Sequence, residues 1–141
     1  MKILVTGVKG QLGFDVVKEL EKRGYEAIGV DIEEMDITDE ESVNRLFSKE
    51  SPEVVVHCAA WTAVDAAEDE ENISKVFAVN KTGTEYIATA CEKINAKLLF
   101  LSTDYVFDGQ GQEPWKTEDE RNPLNVYGQS KAEAAVSYTH L

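Results

Sequence analysis

Four short apolar runs punctuate the chain, and the first three are each followed by a stretch in which apolar residues return every three or four positions. A run without polar alternation leaves no face for water, so these runs predict strands buried on both sides. Ile3-Leu4-Val5 is the first, and Gln11 to Arg23 follows with Leu12, Val16, Val17 and Leu20 on one helical face, closed by Gly24. Glu26 to Val30 is the second and ends on Asp31. The capping box Thr38-Asp39-Glu40-Glu41 then predicts a helix that turns Val43, Leu46 and Phe47 inward and stops before Pro52. Glu53 to Cys58 is the third strand. A loop, Ala59 to Glu71, leads into a long helix through Val76, Val79, Ile87 and Ala90, and Lys97 to Leu101 forms the fourth strand. Helices between buried strands imply parallel pairing with right-handed crossovers, and so an α/β fold with a doubly wound parallel sheet.

Composition narrows the function classes. At 141 residues the chain is one domain's worth, and 27 acids against 14 bases give a net charge of −13. That balance opposes non-specific attachment to nucleic acid or to anionic membranes. No apolar run approaches the roughly 18 residues of a membrane span, and the chain opens directly on a strand rather than on a signal peptide, so the cytoplasm is the expected compartment. Cys58 and Cys91 lack metal-ligand spacing and are expected to be reduced core thiols; His57, inside an apolar strand, is expected to be a satisfied core histidine. No metal site is assigned: Asp65, Glu68 and Asp69 read as the solvated start of a helix.

The chemistry lies at the strand ends. Gly7, Gly10 and Gly13 separate the first strand from the first helix, and a turn without β-carbons lets the backbone approach a pyrophosphate while the helix offers free N–H groups. The spacing G-x-x-G-x-x-G is one residue wider at its front than the usual Rossmann fingerprint. Asp31, 18 residues after Gly13, is placed to accept hydrogen bonds from an adenosine ribose and to repel a 2′-phosphate, which favours NADH over NADPH; Lys9 offsets that preference in part. Farther on, Tyr127 and Lys131 stand four apart on a helix, with β-carbons about 5–6 Å from each other. The ammonium is expected to lower the tyrosine pKa and make the phenol a proton donor to a carbonyl oxygen. Ser102-Thr103 ends the fourth strand, and alternation lets only one of the two hydroxyls face the substrate.

These residues resemble the extended short-chain dehydrogenases/reductases, and within them the dTDP-4-dehydrorhamnose reductase family. The resemblance is carried by T-G-V-K-G-Q-L-G (Thr6 to Gly13), C-A-A-W-T-A-V-D-A-A-E (Cys58 to Glu68), S-T-D-Y-V-F-D-G (Ser102 to Gly109) and N-P-L-N-V-Y-G-Q-S-K (Asn122 to Lys131). It implies a Rossmann-like domain and reduction of the 4-keto group of a dTDP-6-deoxy-hexulose. Thr103, Tyr127 and Lys131 would be the catalytic trio. Gly10, Gln11 and Leu12 would touch the pyrophosphate, Asp31, Asp36 and Ile37 the adenosine half, and Ala60, Trp61 and Thr62 the nicotinamide side. Asn80 matches a cofactor-side asparagine, and Thr103 and Asp104 would meet the sugar. Relatives use NADH, NADPH or both, some with magnesium at a dimer contact, so the implied partners are a nucleotide-sugar substrate and a second copy of the full-length protein.

The resemblance runs from Met1 to about Ala135, which predicts an incomplete NAD(P)-binding domain over residues 1–135, without the C-terminal substrate domain of relatives. Val136 to Leu141 is expected to be a non-native tail, since V-S-Y-T-H-L can be encoded by a transposon end used in sequencing libraries. The fourth strand would then be an exposed edge, and the chain alone would bind cofactor weakly and not turn over. Two other readings share the scaffold: a regulatory subunit like the beta subunit of methionine adenosyltransferase, and a nucleotide-sugar epimerase or dehydratase.

Overall fold

A computed structural model describes residues 1–139. Four parallel strands, β1 (Lys2–Thr6), β2 (Glu26–Val30), β3 (Val54–His57) and β4 (Lys97–Phe100), lie in the order β2-β1-β3-β4. The helices are α1 (Gln11–Lys22), α2 (Glu40–Glu50), α3 (Glu70–Phe77), α4 (Gly83–Ile94) and α5 (Val126–Thr139). The doubly wound α/β sheet expected from the apolar runs is what forms.

Register sorts the side chains into two layers. Leu4 stands beside Val55 and Leu98, and Thr6 beside His57 and Phe100, on the face where Val43, Phe47, Ile87 and Ala90 pack from α2 and α4. Ile3, Val5 and Val56 line the opposite face against Val16, Val17 and Leu20 of α1. Leu4, Val55, Val43 and Ile87 are wholly buried, each contributing about 1.5–3 kcal/mol of transfer free energy. Leu99 shares the second face but is 57% exposed at the β4 edge.

Three local features depart from the sequence reading. Asp39, not Thr38, caps α2, accepting from Glu41 N at 3.0 Å, because the Thr38 hydroxyl turns back to Asp36 Oδ1 at 2.7 Å. The single long helix is interrupted: a π-turn at Ala78–Thr82 separates α3 from α4, and a 3₁₀ turn at Asp65–Glu68 precedes α3. Leu12, expected on the buried face of α1, is half exposed, since in the first turn of the helix it lines an open cleft. α5 runs as backbone from Val126 to Thr139; His140 and Leu141, the end of the expected tail, lie outside the described residues.

Candidate functional site

A cleft of about 970 Å³ opens beyond the carboxyl ends of the strands. Its floor is the turn after β1. Gly7 has φ +71° and lies so close to the loop after β3 that a β-carbon would sit 2.7 Å from Ala59 N. At Gly13 a β-carbon would be 2.3 Å from Gly7 O, so the turn can fold onto α1 only with bare backbone at both positions. Gly10 caps α1 without a side-chain hydrogen bond, and the first turn carries no acid. Gln11 and Leu12 line the same floor.

Asp31, Asp36 and Ile37 form the wall after β2. Asp31 is held rigidly: Oδ2 accepts from Lys9 N and Oδ1 from Ile32 N, each at 2.9 Å. Lys9 is ion-paired with Glu33, so its charge is already engaged at this rim. The opposite wall is Cys58 to Thr62, followed by Ser102, Tyr127 and Lys131.

α5 brings the last two in. Its N-terminus is capped twice, by Glu68 Oε1 on Val126 N and by Asn125 Oδ1 on Gly128 N, both at 2.7 Å. Gly128 lets the helix seat on the short 3₁₀ turn Asp104–Val106; a β-carbon there would lie 2.2 Å from Tyr105 O. The Tyr127 ring meets the Tyr105 edge at 5.8 Å between centroids, and its hydroxyl is hydrogen-bonded with Thr103. Burial raises the Tyr127 pKa, the Thr103 bond opposes the rise, and Asp104 and Tyr105 add to it. Lys131 is 3% exposed, with Nζ 4.2 Å above the Phe100 ring centroid. Burial pulls its pKa down to about 8, the neighbouring Cys58 opposing.

The expected lowering of the Tyr127 pKa by Lys131 is therefore not what forms. Spacing brings the two β-carbons together, but the side chains diverge, the phenol toward Thr103 and the amine toward Phe100 and Cys58. A raised pKa still keeps the phenol protonated at neutral pH.

The model for the RmlD substrate binding domain matches residues 1–139. The chain belongs to the RmlD family. It is 42% identical over 133 residues to a dTDP-4-dehydrorhamnose reductase of Aggregatibacter actinomycetemcomitans, covering 94% of this chain and 45% of that protein. A crystal structure of the dTDP-4-dehydrorhamnose reductase of Clostridium acetobutylicum superposes with a TM-score of 0.95 at 40% identity, over 100% of this chain and 50% of that one. The Bacillus anthracis reductase, solved in complex with NADP, gives 0.94 at 34% identity over 99% and 49%. The chain thus spans about half the length of the relatives it matches.

Among the residues anticipated from the sequence, this RmlD-family cleft gathers Gly7, Gly10, Gln11, Leu12, Gly13, Asp31, Asp36, Ile37, Ala60, Trp61, Thr62, Tyr127 and Lys131. Thr103 interacts with the Tyr127 hydroxyl but is not among the residues lining the cleft, where Ser102 is the hydroxyl from this strand end. Asp104 faces a separate hollow of about 320 Å³ with Tyr105, Phe107 and Trp115. Asn80 is wholly buried behind the wall: Oδ1 accepts from Trp61 N at 2.7 Å, and Nδ2 donates to Trp61 O and Ser130 Oγ. It holds the wall and is not among the residues lining the cleft. Cys58, expected in the core, is partly buried: it packs against the Ile3, Val5 and Val56 layer and also lines the cleft, its pKa raised by burial and opposed by Lys131. Cys91 does lie in the core, and burial pushes its thiol up to about 12.

Sequence reasoning missed Gly128, Ser130 and Glu68. Gly128 left a signal, a glycine inside a helical pattern, where close backbone approach is the usual cause. Glu68 left none, because its partner lies 58 residues away. Among the described residues no group of three or more His, Cys, Asp or Glu side chains is arranged for a metal ion, and no helix is long and apolar enough to cross a membrane.

Proposed function

We propose that the cleft binds a nicotinamide dinucleotide and that the full-length protein reduces the 4-keto group of a dTDP-6-deoxy-hexulose to give dTDP-L-rhamnose. The observation that carries this reading is the convergence on one cleft of the bare-backbone turn at Gly7 and Gly13, the anchored Asp31 and the Tyr127/Lys131 pair. The residues present fit the group: the uncapped start of α1 suits a pyrophosphate, and Asp31 suits ribose hydroxyls. The bound nicotinamide supplies the hydride. Tyr127 gives the proton to the sugar's O4, Thr103 fixes the phenol's direction, and Lys131 binds the nicotinamide ribose with an ammonium already stripped of water. Asp31, with Glu33 engaging Lys9, disfavours a 2′-phosphate, so NADH is the preferred coenzyme.

The full-length protein, wild type and Tyr127→Phe, tests this with the keto-sugar nucleotide and either coenzyme. Tyr127→Phe is expected to cut kcat about 10²–10⁴-fold while coenzyme affinity stays within about threefold. Unchanged turnover in Tyr127→Phe overturns the proton-donor role. Coenzyme binding without any turnover in the wild type favours a regulatory protein on the same scaffold.

A further inference from the structure

The buried ring of His57 has a neighbour at each nitrogen, and those neighbours fix its protons. The Thr84 hydroxyl donates to Asn80 O at 2.7 Å, so toward His57 Nε2, 3.1 Å away, it can only accept. Nε2 therefore carries the hydrogen and Nδ1 is an acceptor. Into Nδ1 donates the Thr6 hydroxyl, 2.8 Å away, and the same Thr6 oxygen accepts from Ala59 N at 3.0 Å. The four hydrogen bonds run in one direction, from Ala59 N–H through Thr6, His57 and Thr84 to Asn80 O, an arrangement in which each bond polarises the next. The four side-chain groups nearest the ring's path, Thr6, His57, Thr84 and Asn80, are all within 1% of complete burial.

Both ends of this chain grip the cleft. Thr6 fixes Ala59 N, while Asn80 fixes the N–H and the carbonyl of Trp61, so the residues on either side of Ala60 are tied to one network. Asn80 also donates to Ser130 Oγ at 2.9 Å, and Ser130 donates to Tyr127 O at 2.7 Å, which carries the tie into α5. We propose that His57, held as the Nε2–H tautomer, is a positioning residue that sets the Ala59–Trp61 wall against α5 and thereby the affinity of the cleft for its dinucleotide. The affinity clause rests on the coenzyme reading above. Burial, with the Lys131 charge adding to it, pulls the His57 pKa to about 3, consistent with a ring that stays neutral.

The ¹⁵N-labelled chain tests this directly. It has two histidines, and a His140→Asn variant assigns the second. The His57 ring is expected to give a protonated Nε2 and an unprotonated Nδ1, unchanged from pH 5 to 8. His57→Leu is expected to shift the amide resonances of Ala59, Trp61 and Tyr127 in the chain and, in the full-length protein, to weaken NADH binding about tenfold, the loss that follows when buried donors and acceptors lose a shared partner. His57→Gln, whose amide O and N can replace the acceptor and donor, should recover affinity to within about threefold. An Nδ1–H tautomer, a ring titrating near 6.5, or a His57→Leu variant with wild-type affinity and unmoved amides overturns the proposal. If His57→Leu does not fold, Thr84→Val, which removes the acceptor at Nε2, is read by the same criteria. Should the full-length wild type bind neither NADH nor NADPH, the coenzyme reading fails, while the ring and amide measurements on the chain still decide the tautomer and the wall.

Discussion

Lys131 illustrates how a single side chain can be held against its own solvation. It is almost wholly inaccessible, its charge rests over the Phe100 ring, and burial has drawn its pKa from 10.5 to about 8. The stability consequence has a definite sign. Between about pH 8 and 10.5 the unfolded chain holds a proton that the folded chain has released, so stability contributed by this site rises with pH across that window and levels off above it. Below pH 8 both states are protonated and the full cost of the buried ammonium is present. Lys131→Met is therefore expected to be more stable than wild type by roughly 3 kcal/mol at pH 7, with the gap closing toward pH 10.5. Urea unfolding of both proteins at the two pH values checks it; a gap that widens with pH contradicts the assignment.

At the scale of elements, α5 is set by contacts that reach across the chain. Glu68 and Asn125 cap it, and Gly128 lets it touch the 3₁₀ turn at Asp104–Val106. A β-carbon at Gly128 would run into backbone, which cannot swing aside as a side chain could, so Gly128→Ala must displace the helix or the turn. A loss of about 2–4 kcal/mol is expected, together with weaker Tyr105–Tyr127 ring contact, measurable by thermal unfolding and by tyrosine ring shifts. A variant as stable as wild type would mean the turn yields freely. The strands and α1 were legible from the sequence because each depends on its own periodicity: Ile3 to Val5 and Val54 to Val56 are apolar without a break, and Val16, Val17 and Leu20 recur at helical spacing. The interruption at Ala78–Thr82 was not, since it depends on the Thr84 hydroxyl reaching Asn80 O and on Gly83 fitting under Ile37, neither of which is written in a local pattern. The same holds for the cleft. Its glycines, Asp31 and the Tyr127/Lys131 pair could be named in advance, whereas the divergence of Tyr127 from Lys131 depended on Thr103 and Phe100, supplied by the β4 end of the sheet.

Over the whole molecule, the two faces of the sheet are unequally covered. Among the described residues one carries α2 and α4 while the other carries α1, and Leu99 on the edge strand β4 is left largely in water. An open apolar edge invites pairing with another chain, and the net charge of −13 opposes it only over a short range in salt. Self-association should therefore increase between 20 and 500 mM salt, concentrations at which the screening length falls to roughly 20 Å and then to under about 5 Å. Leu99→Lys should suppress it; sedimentation velocity checks both, and association unaffected by Leu99→Lys would place the contact elsewhere. The strand order has a further implication for how the polypeptide assembles. Because β1 sits between β2 and β3, the earliest of these four strands in the chain becomes an interior seam, and β2, β3 and β4 can each dock in turn on a border that already exists. Synthesis can thus extend this four-stranded sheet without threading a later one of the four into its middle.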